Sequence, residues 1–122
     1  MPGMNTRRIG AEGEAIARDY LTGIGARILD SNVRLGGGEI DIIAMMDGVC
    51  VFIEVKRRGS ARYGRPAEAV TPMKMRRILR AAALYCAAHG LSDSPVRFDV
   101  IELMPGRINH IPGAFDLTSA GL

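Results

Sequence analysis

Glu39, Asp41, Glu54 and Lys56 have side-chain types and a spacing that suit phosphate chemistry, and all four fall within the stretch Gly36 to Lys56. Two runs rich in Ile and Val, alternating with other residues, flank Asp47-Gly48. That pair is a strong signal for a β-hairpin with a two-residue turn. With the turn there, Met46 faces Val49, Asp41 stands opposite Glu54 and Glu39 opposite Lys56. Facing side chains lie roughly 5 Å apart at Cβ, so Asp41 and Glu54 repel each other unless positive charge sits between them. Lys56 supplies part of it. A hard divalent cation supplies more, because Mg²⁺ is commonly held by one or two carboxylates together with water and substrate phosphate. The plainer alternative is a Glu–Lys pair on a solvated sheet face. Against that stands Asp41 itself, of a type disfavoured inside strands yet set between Ile40 and Ile42.

Strand period assigns the two faces of this hairpin. Ile40, Ile42, Ala44, Val49, Val51, Ile53 and Val55 share a wholly apolar face. The other face carries Glu39, Asp41, Ile43, Met45, Cys50, Phe52, Glu54 and Lys56, apolar near the turn and charged at the far end.

A block of positive charge follows directly. From Lys56 to Arg80 the basic residues are Lys56, Arg57, Arg58, Arg62, Arg65, Lys74, Arg76, Arg77 and Arg80, against the single acid Glu68, in a chain whose net charge is only +3. Such concentration beside a carboxylate cluster points to a polyanion, nucleic acid first. A solvated helix face with Arg stems lying over the core is the alternative. Arg57, Arg58, Arg62, Lys74, Arg76 and Arg77 are the candidates for backbone-phosphate contacts, which give position and affinity rather than sequence choice.

The elements that position these groups read as follows. A helix starts at Asn5 or Thr6 and runs to about Leu21, with Ile9, Gly13, Ile16, Tyr20 and Ile24 as its apolar stripe. Glu14 lies beside that stripe, on the flank of Gly10, Ala17 and Leu21. It either points toward the charged sheet face as a third carboxylate or is an exposed Glu with Arg18 four residues on. Residues 26–35 read as a strand. Gly36-Gly37-Gly38 precedes a strand, not a helix opening with Lys-Ser/Thr, so it is no phosphate loop; its glycines permit close approach of another backbone or of a ligand. Residues 57–66 form a basic loop containing Tyr63. Thr71-Pro72 starts a helix that stops at Gly90. Residues 96–104 form a further strand, in which Arg97 and Asp99 either border the site or pair structurally. The tail adds a short edge strand and a docked aromatic, and neither His89 nor His110 is assigned chemistry.

At 122 residues the chain makes one domain with its own core. It contains no run of 18 or more apolar residues, the length a membrane span requires, and its N-terminus lacks the apolar region of a secretory signal. Cys50 and Cys86 are therefore read as buried free thiols, and the location as cytoplasmic.

The order helix, strand, hairpin with Asp then Glu-x-Lys, helix, strand resembles the core of the PD-(D/E)xK nuclease superfamily. More closely, G-E-I-D-I-I-A followed by V-F-I-E-V-K-x-R is similar to the YraN-type family of small bacterial proteins, themselves like Holliday-junction resolvases. The likeness extends to G-x-x-G-E at Gly10 to Glu14, Asn32-x-Arg34, Tyr63-Gly64, Arg97-Phe98-Asp99 and Ala114-Phe115, and so covers nearly the whole chain. The superfamily's namesake proline is replaced by Ile40.

The resemblance implies an α/β fold, a mixed central sheet flanked by helices in a restriction-endonuclease-like or resolvase-like core. It implies a Mg²⁺- or Mn²⁺-dependent endonuclease acting on DNA, branched or single-stranded. Asp41 and Glu54 would be metal ligands with the Val55 carbonyl as a further oxygen, and Lys56 would position the attacking water. Glu14 would assist the metal, and Glu39 would hold a metal-coordinated water. Resolvase-like relatives act as dimers, although no dimer seam is visible here. The alternative is a catalytically silent module that keeps the fold and recruits other DNA-processing proteins.

Overall fold

The computed structural model describes residues 6–58 and 70–122, with side chains from Glu12 onward. Asn5, Arg62, Tyr63 and Arg65 lie outside the described residues. Helix α1 (Thr6–Gly23) leads into strands β1 (Arg27–Leu35), β2 (Gly38–Met46) and β3 (Val49–Arg57); helix α2 (Pro72–Ala88), β4 (Val96–Met104) and β5 (Arg107–Phe115) follow. The five strands form one sheet in chain order. Pairing is antiparallel except between β3 and β4. A parallel pair needs a crossover, and α2 supplies it. The result is one α/β domain with a mixed central sheet, as the resemblance implies.

The hairpin register is the expected one: Met46 pairs with Val49, Met45 with Cys50, Ala44 with Val51, Ile43 with Phe52 and Ile42 with Ile53. Asp47 and Gly48 both take positive φ, at 50° and 79°, as a type I′ turn demands. Alternation on β3 then divides the core in two. Cys50 and Phe52 pack with Ile78, Ala81, Ala82, Tyr85 and Cys86 of α2, whereas Val51 and Ile53 pack with Ala17 and Leu21 of α1. One helix covers each face. On the α2 side Phe52 stacks on Phe98, and Phe98 on Phe115, with ring centroids 5.5 and 5.3 Å apart. Cys50 and Cys86 are free and buried there, and burial beside Cys86 pushes the Cys50 thiol up to about 11.

Two expectations fail. Ile40 joins the α2-side cluster and not the face of Ile42. The β1–β2 register slips between Ile28 and Asp30, and Asn32 adopts φ 54°. The slip lies towards the hairpin turn, opposite Ala44 and Ile43, whereas Asn32 sits between the partners of Ile42 and Ile40, where the β2–β3 pairing also ends; strict alternation breaks there. The α1 stripe holds only in part: Gly13 is buried and Tyr20 packs on the core, but Ile16 and Ile24 are 47% and 49% exposed, while Ala17 and Leu21 are fully buried. Small residues let the helix approach closely, and a Cβ on Gly13 would lie 3.3 Å from Leu103 Cδ1. The flank bearing Glu14 is thus the sheet-facing one.

Helix α2 begins as its sequence requires. The Thr71 hydroxyl accepts from the Lys74 N–H at 3.2 Å, and Pro72 occupies the first turn. Gly36 and Gly38 allow this helix to approach, since a Cβ on Gly36 would meet the Leu84 side chain and one on Gly38 would collide with the Arg77 carbonyl. Gly38→Ala therefore destabilises by roughly 1–3 kcal/mol through overpacking. Gly23→Ala, with open space around it, is neutral or stabilising. Urea unfolding of both variants measures the contrast.

Candidate active site

Asp41 and Glu54 meet where the β2–β3 pairing stops, one residue beyond Ile42 and Ile53. Glu54 shares the α2-facing side of β3 with Cys50 and Phe52. Asp41 spans the gap: its Oδ2 accepts a hydrogen bond from the Val55 N–H at 2.8 Å. The two carboxyl groups are themselves in hydrogen-bond contact, and burial, this contact and the Glu54 charge raise the Asp41 pKa to about 8. Glu14, projecting from α1, adds to the repulsion. Glu54 is 5% exposed. Its burial favours the neutral acid, yet the hydrogen bond from Asp41 and the charges of Lys74 and Lys56 hold it below its ordinary value. The surroundings thus favour the neutral acid at Asp41 and the charged form at Glu54.

Two ammonium groups converge on that charge. Lys56 Nζ lies 3.4 Å from Glu54 Oε2, and Lys74, reaching down from the first turn of α2, pairs with the same oxygen. Burial and the neighbouring Lys74 lower the Lys56 pKa. Two carboxylates with hard oxygen donors suit Mg²⁺ or Mn²⁺ when water and substrate oxygens complete the shell. No group of three His, Cys, Asp or Glu side chains among the described residues is placed to hold a metal ion.

The site lies at the carboxyl end of β3 and the start of α2, where open α/β sheets place their ligands. Beside it opens a cavity of about 720 Å³, lined by Arg34, Gly36, Gly37, Gly38, Glu39, Thr71, Lys74 and Arg77 among others. Glu39 belongs to this cavity and not to the carboxylate pair. It is exposed and pairs with Arg34 at 3.5 Å, and the expected opposition to Lys56 lies beyond the end of the hairpin ladder.

The basic candidates separate. Lys74 and Arg77 line the cavity, and Arg57 is exposed at the end of β3. Arg58 is tied to Glu102, its Nη2 at 2.6 Å, and Arg76 Nε donates to the Ala120 carbonyl at 2.8 Å. Sequence reading gave Lys74 a phosphate and missed its pairing with Glu54. The available signal was that Glu54 faces the same side as the crossover helix whose first turn bears Lys74.

A second polar centre lies on the opposite face. Asp99 is fully buried. It accepts from Arg97 Nε and Nη2, both at 2.8 Å, and from the Gly113 N–H at 3.0 Å. His110 Nε2 is 2.7 Å from its Oδ2, and His110 Nδ1 is 2.9 Å from the Tyr20 hydroxyl. Arg97 and Asp99 therefore pair structurally, joining β4, β5 and α1. No sequence signal linked Tyr20 to His110.

A mixed five-stranded sheet with one helix on each face and acidic and basic groups at the end of β3 defines a resolvase-like or restriction-endonuclease-like core. The chain belongs to the family described as "Uncharacterised protein family UPF0102", whose model matches residues 13–103. It is 52% identical to a UPF0102 protein of Symbiobacterium thermophilum over 83% of this chain and 86% of the relative. Identity to one from Clostridioides difficile is 46%, covering 92% and 100%, and to one from Chlorobaculum parvum 48%, covering 93% and 95%. Among the described residues no helix is long and apolar enough to cross a membrane.

Burial alone would raise the Asp99 pKa, but Arg97, the Gly113 N–H and His110 hold it below its ordinary value. Its folded pKa lies under the unfolded value of about 3.9, so its stabilisation is complete above that value and is lost as pH falls through the folded one. Asp99→Asn costs roughly 3 kcal/mol at pH 7 and weakens the acid dependence of stability. Urea unfolding between pH 7 and pH 2.5 tests both effects.

Proposed function

We propose that this protein is a metal-dependent nuclease of the PD-(D/E)xK type acting on DNA. One observation carries the reading: Asp41 and Glu54 are held in contact inside the sheet, with two lysines on Glu54 and a basic cavity alongside. The donor set suits Mg²⁺ or Mn²⁺ bound by Asp41 and Glu54, with the Val55 carbonyl as a further oxygen. When bound, such an ion polarises a phosphoryl oxygen and lowers the pKa of water. Lys56 orients the attacking water and stabilises charge developing on the phosphate. Glu14 adds negative charge near Asp41 from α1 and would assist the metal from there, and Glu39 lines the cavity, where it would hold outer-sphere water. Arg77, Lys74 and Arg57 contact backbone phosphates; Arg62, outside the described residues, is a further candidate. Arg58 and Arg76 keep their structural partners and contribute less.

The ion pairs closing over Glu54 favour a second reading, a silent DNA-binding module that recruits other proteins. It shares the phosphate contacts but not the turnover.

Titrating Mg²⁺ and Mn²⁺ against linear, single-stranded and four-way DNA separates the two. Metal-dependent cleavage by the wild type is expected on at least one substrate. Asp41→Asn loses it while binding DNA within about twofold, and Lys56→Met loses about 10²–10³ in turnover. Undiminished cleavage by Asp41→Asn, or binding without cleavage on every substrate, defeats the nuclease reading. Under either reading Arg77→Ala weakens DNA binding and reduces the slope of log K against log salt by about 0.9, the share of one neutralised phosphate.

A further inference from the structure

Lys74 belongs to two places at once. Its ammonium pairs with Glu54 Oε2, the oxygen that Lys56 approaches at 3.4 Å. Its side chain is also 43% exposed and lines the cavity formed with Arg34, Thr71 and Arg77. Glu54 itself is 5% exposed and is not part of that lining. Lys74 is thus the group between the buried carboxylate and the open basic cavity.

The two sides compete for one ammonium. A divalent cation on Glu54 is repelled by Lys74 while it stays, because like charges at contact distance in a partly buried site are weakly screened. A phosphodiester oxygen in the cavity attracts Lys74 outward, together with Arg77, Arg34 and the capped N-terminus of α2. The lysine side chain is long and flexible enough to serve either partner.

We propose that Lys74 is a displaceable counter-ion which couples the two sites, so that a phosphodiester strand in the cavity draws Lys74 off Glu54 and a divalent cation takes its place. The inference rests on the metal and polyanion sites of the proposed function but not on cleavage. Metal and strand then bind cooperatively, and linkage requires each to tighten the other by the same factor. Without the strand, Lys74 keeps the cation out.

Mn²⁺ binding, followed by electron paramagnetic resonance of the free ion, reads this directly. The probe strand is a hydrolysis-resistant phosphorothioate oligonucleotide. In the wild type the strand tightens Mn²⁺ binding by about tenfold, and Mn²⁺ tightens the strand equally, within the usual range of coupling. Lys74→Gln binds Mn²⁺ about tenfold more tightly than the wild type without the strand, and adding the strand changes this by less than twofold. Lys74→Arg keeps the charge and behaves as the wild type. An unchanged thermal midpoint in each variant shows that the fold is intact.

Lys74→Gln with wild-type Mn²⁺ affinity, or with coupling undiminished, overturns the proposal. Cleavage without coupling overturns it and leaves the nuclease intact. Coupling without cleavage upholds it and removes the nuclease. Absence of Mn²⁺ binding by every variant overturns both.

Discussion

Two carboxyl groups held against each other inside a sheet are the constraint on which the rest of this structure depends. The surroundings of Asp41 favour its neutral acid and those of Glu54 its anion, and each neighbouring element helps to hold that charge. The β3 backbone donates from Val55, Lys56 comes from the same strand, and Lys74 comes from α2. Even the glycine corner contributes, because Gly38 lets α2 lie close enough to the sheet for its first turn to reach Glu54. Apolar residues of similar volume are often as stabilising as a buried ionic cluster, or more so. A cluster with such displaced pKa values is the kind of feature that accompanies function.

The second polar centre shows what a purely structural cluster looks like in the same sheet. Asp99 is as buried as any residue in the protein, yet its oxygens have a full complement of donors from Arg97, Gly113 and His110. Attraction dominates there, and its pKa falls. At Asp41 burial and carboxylate repulsion dominate, and the pKa rises. Two aspartates of one domain, Asp99 buried and Asp41 half-buried, are distinguished by the sign of their surroundings.

Much of this was legible in the sequence, for local reasons. Asp47-Gly48 dictates a turn, the turn dictates a register, and the register brings Asp41 to Glu54. Thr71-Pro72 starts α2 by the same kind of local chemistry. What escaped depended on tertiary geometry. Strict alternation placed Ile40 beside Ile42, but the β2–β3 pairing ends at Ile42 and a left-handed Asn32 faces the residues beyond it. The stripe of α1 was right at Gly13 and Tyr20 but not at Ile16 and Ile24, which stay outside while the neighbouring Ala17 and Leu21 are buried. Lys74 resembled every other cation in the basic block until α2 was set over the face bearing Glu54.

The parallel join between β3 and β4 also orders the assembly of the molecule in time. Strands β1, β2 and β3 are successive antiparallel neighbours, so their contacts close short loops. Strand β4 reaches β3 only after the whole crossover, a longer closure with a larger entropic cost. Both carboxylates belong to the early meander, and Lys74 belongs to the late crossover. A chain emerging from the ribosome therefore brings Asp41 and Glu54 together before the helix that covers them exists. During that interval Lys56, on β3 itself, is the ammonium at Glu54, and dissolved cations stand where Lys74 will come.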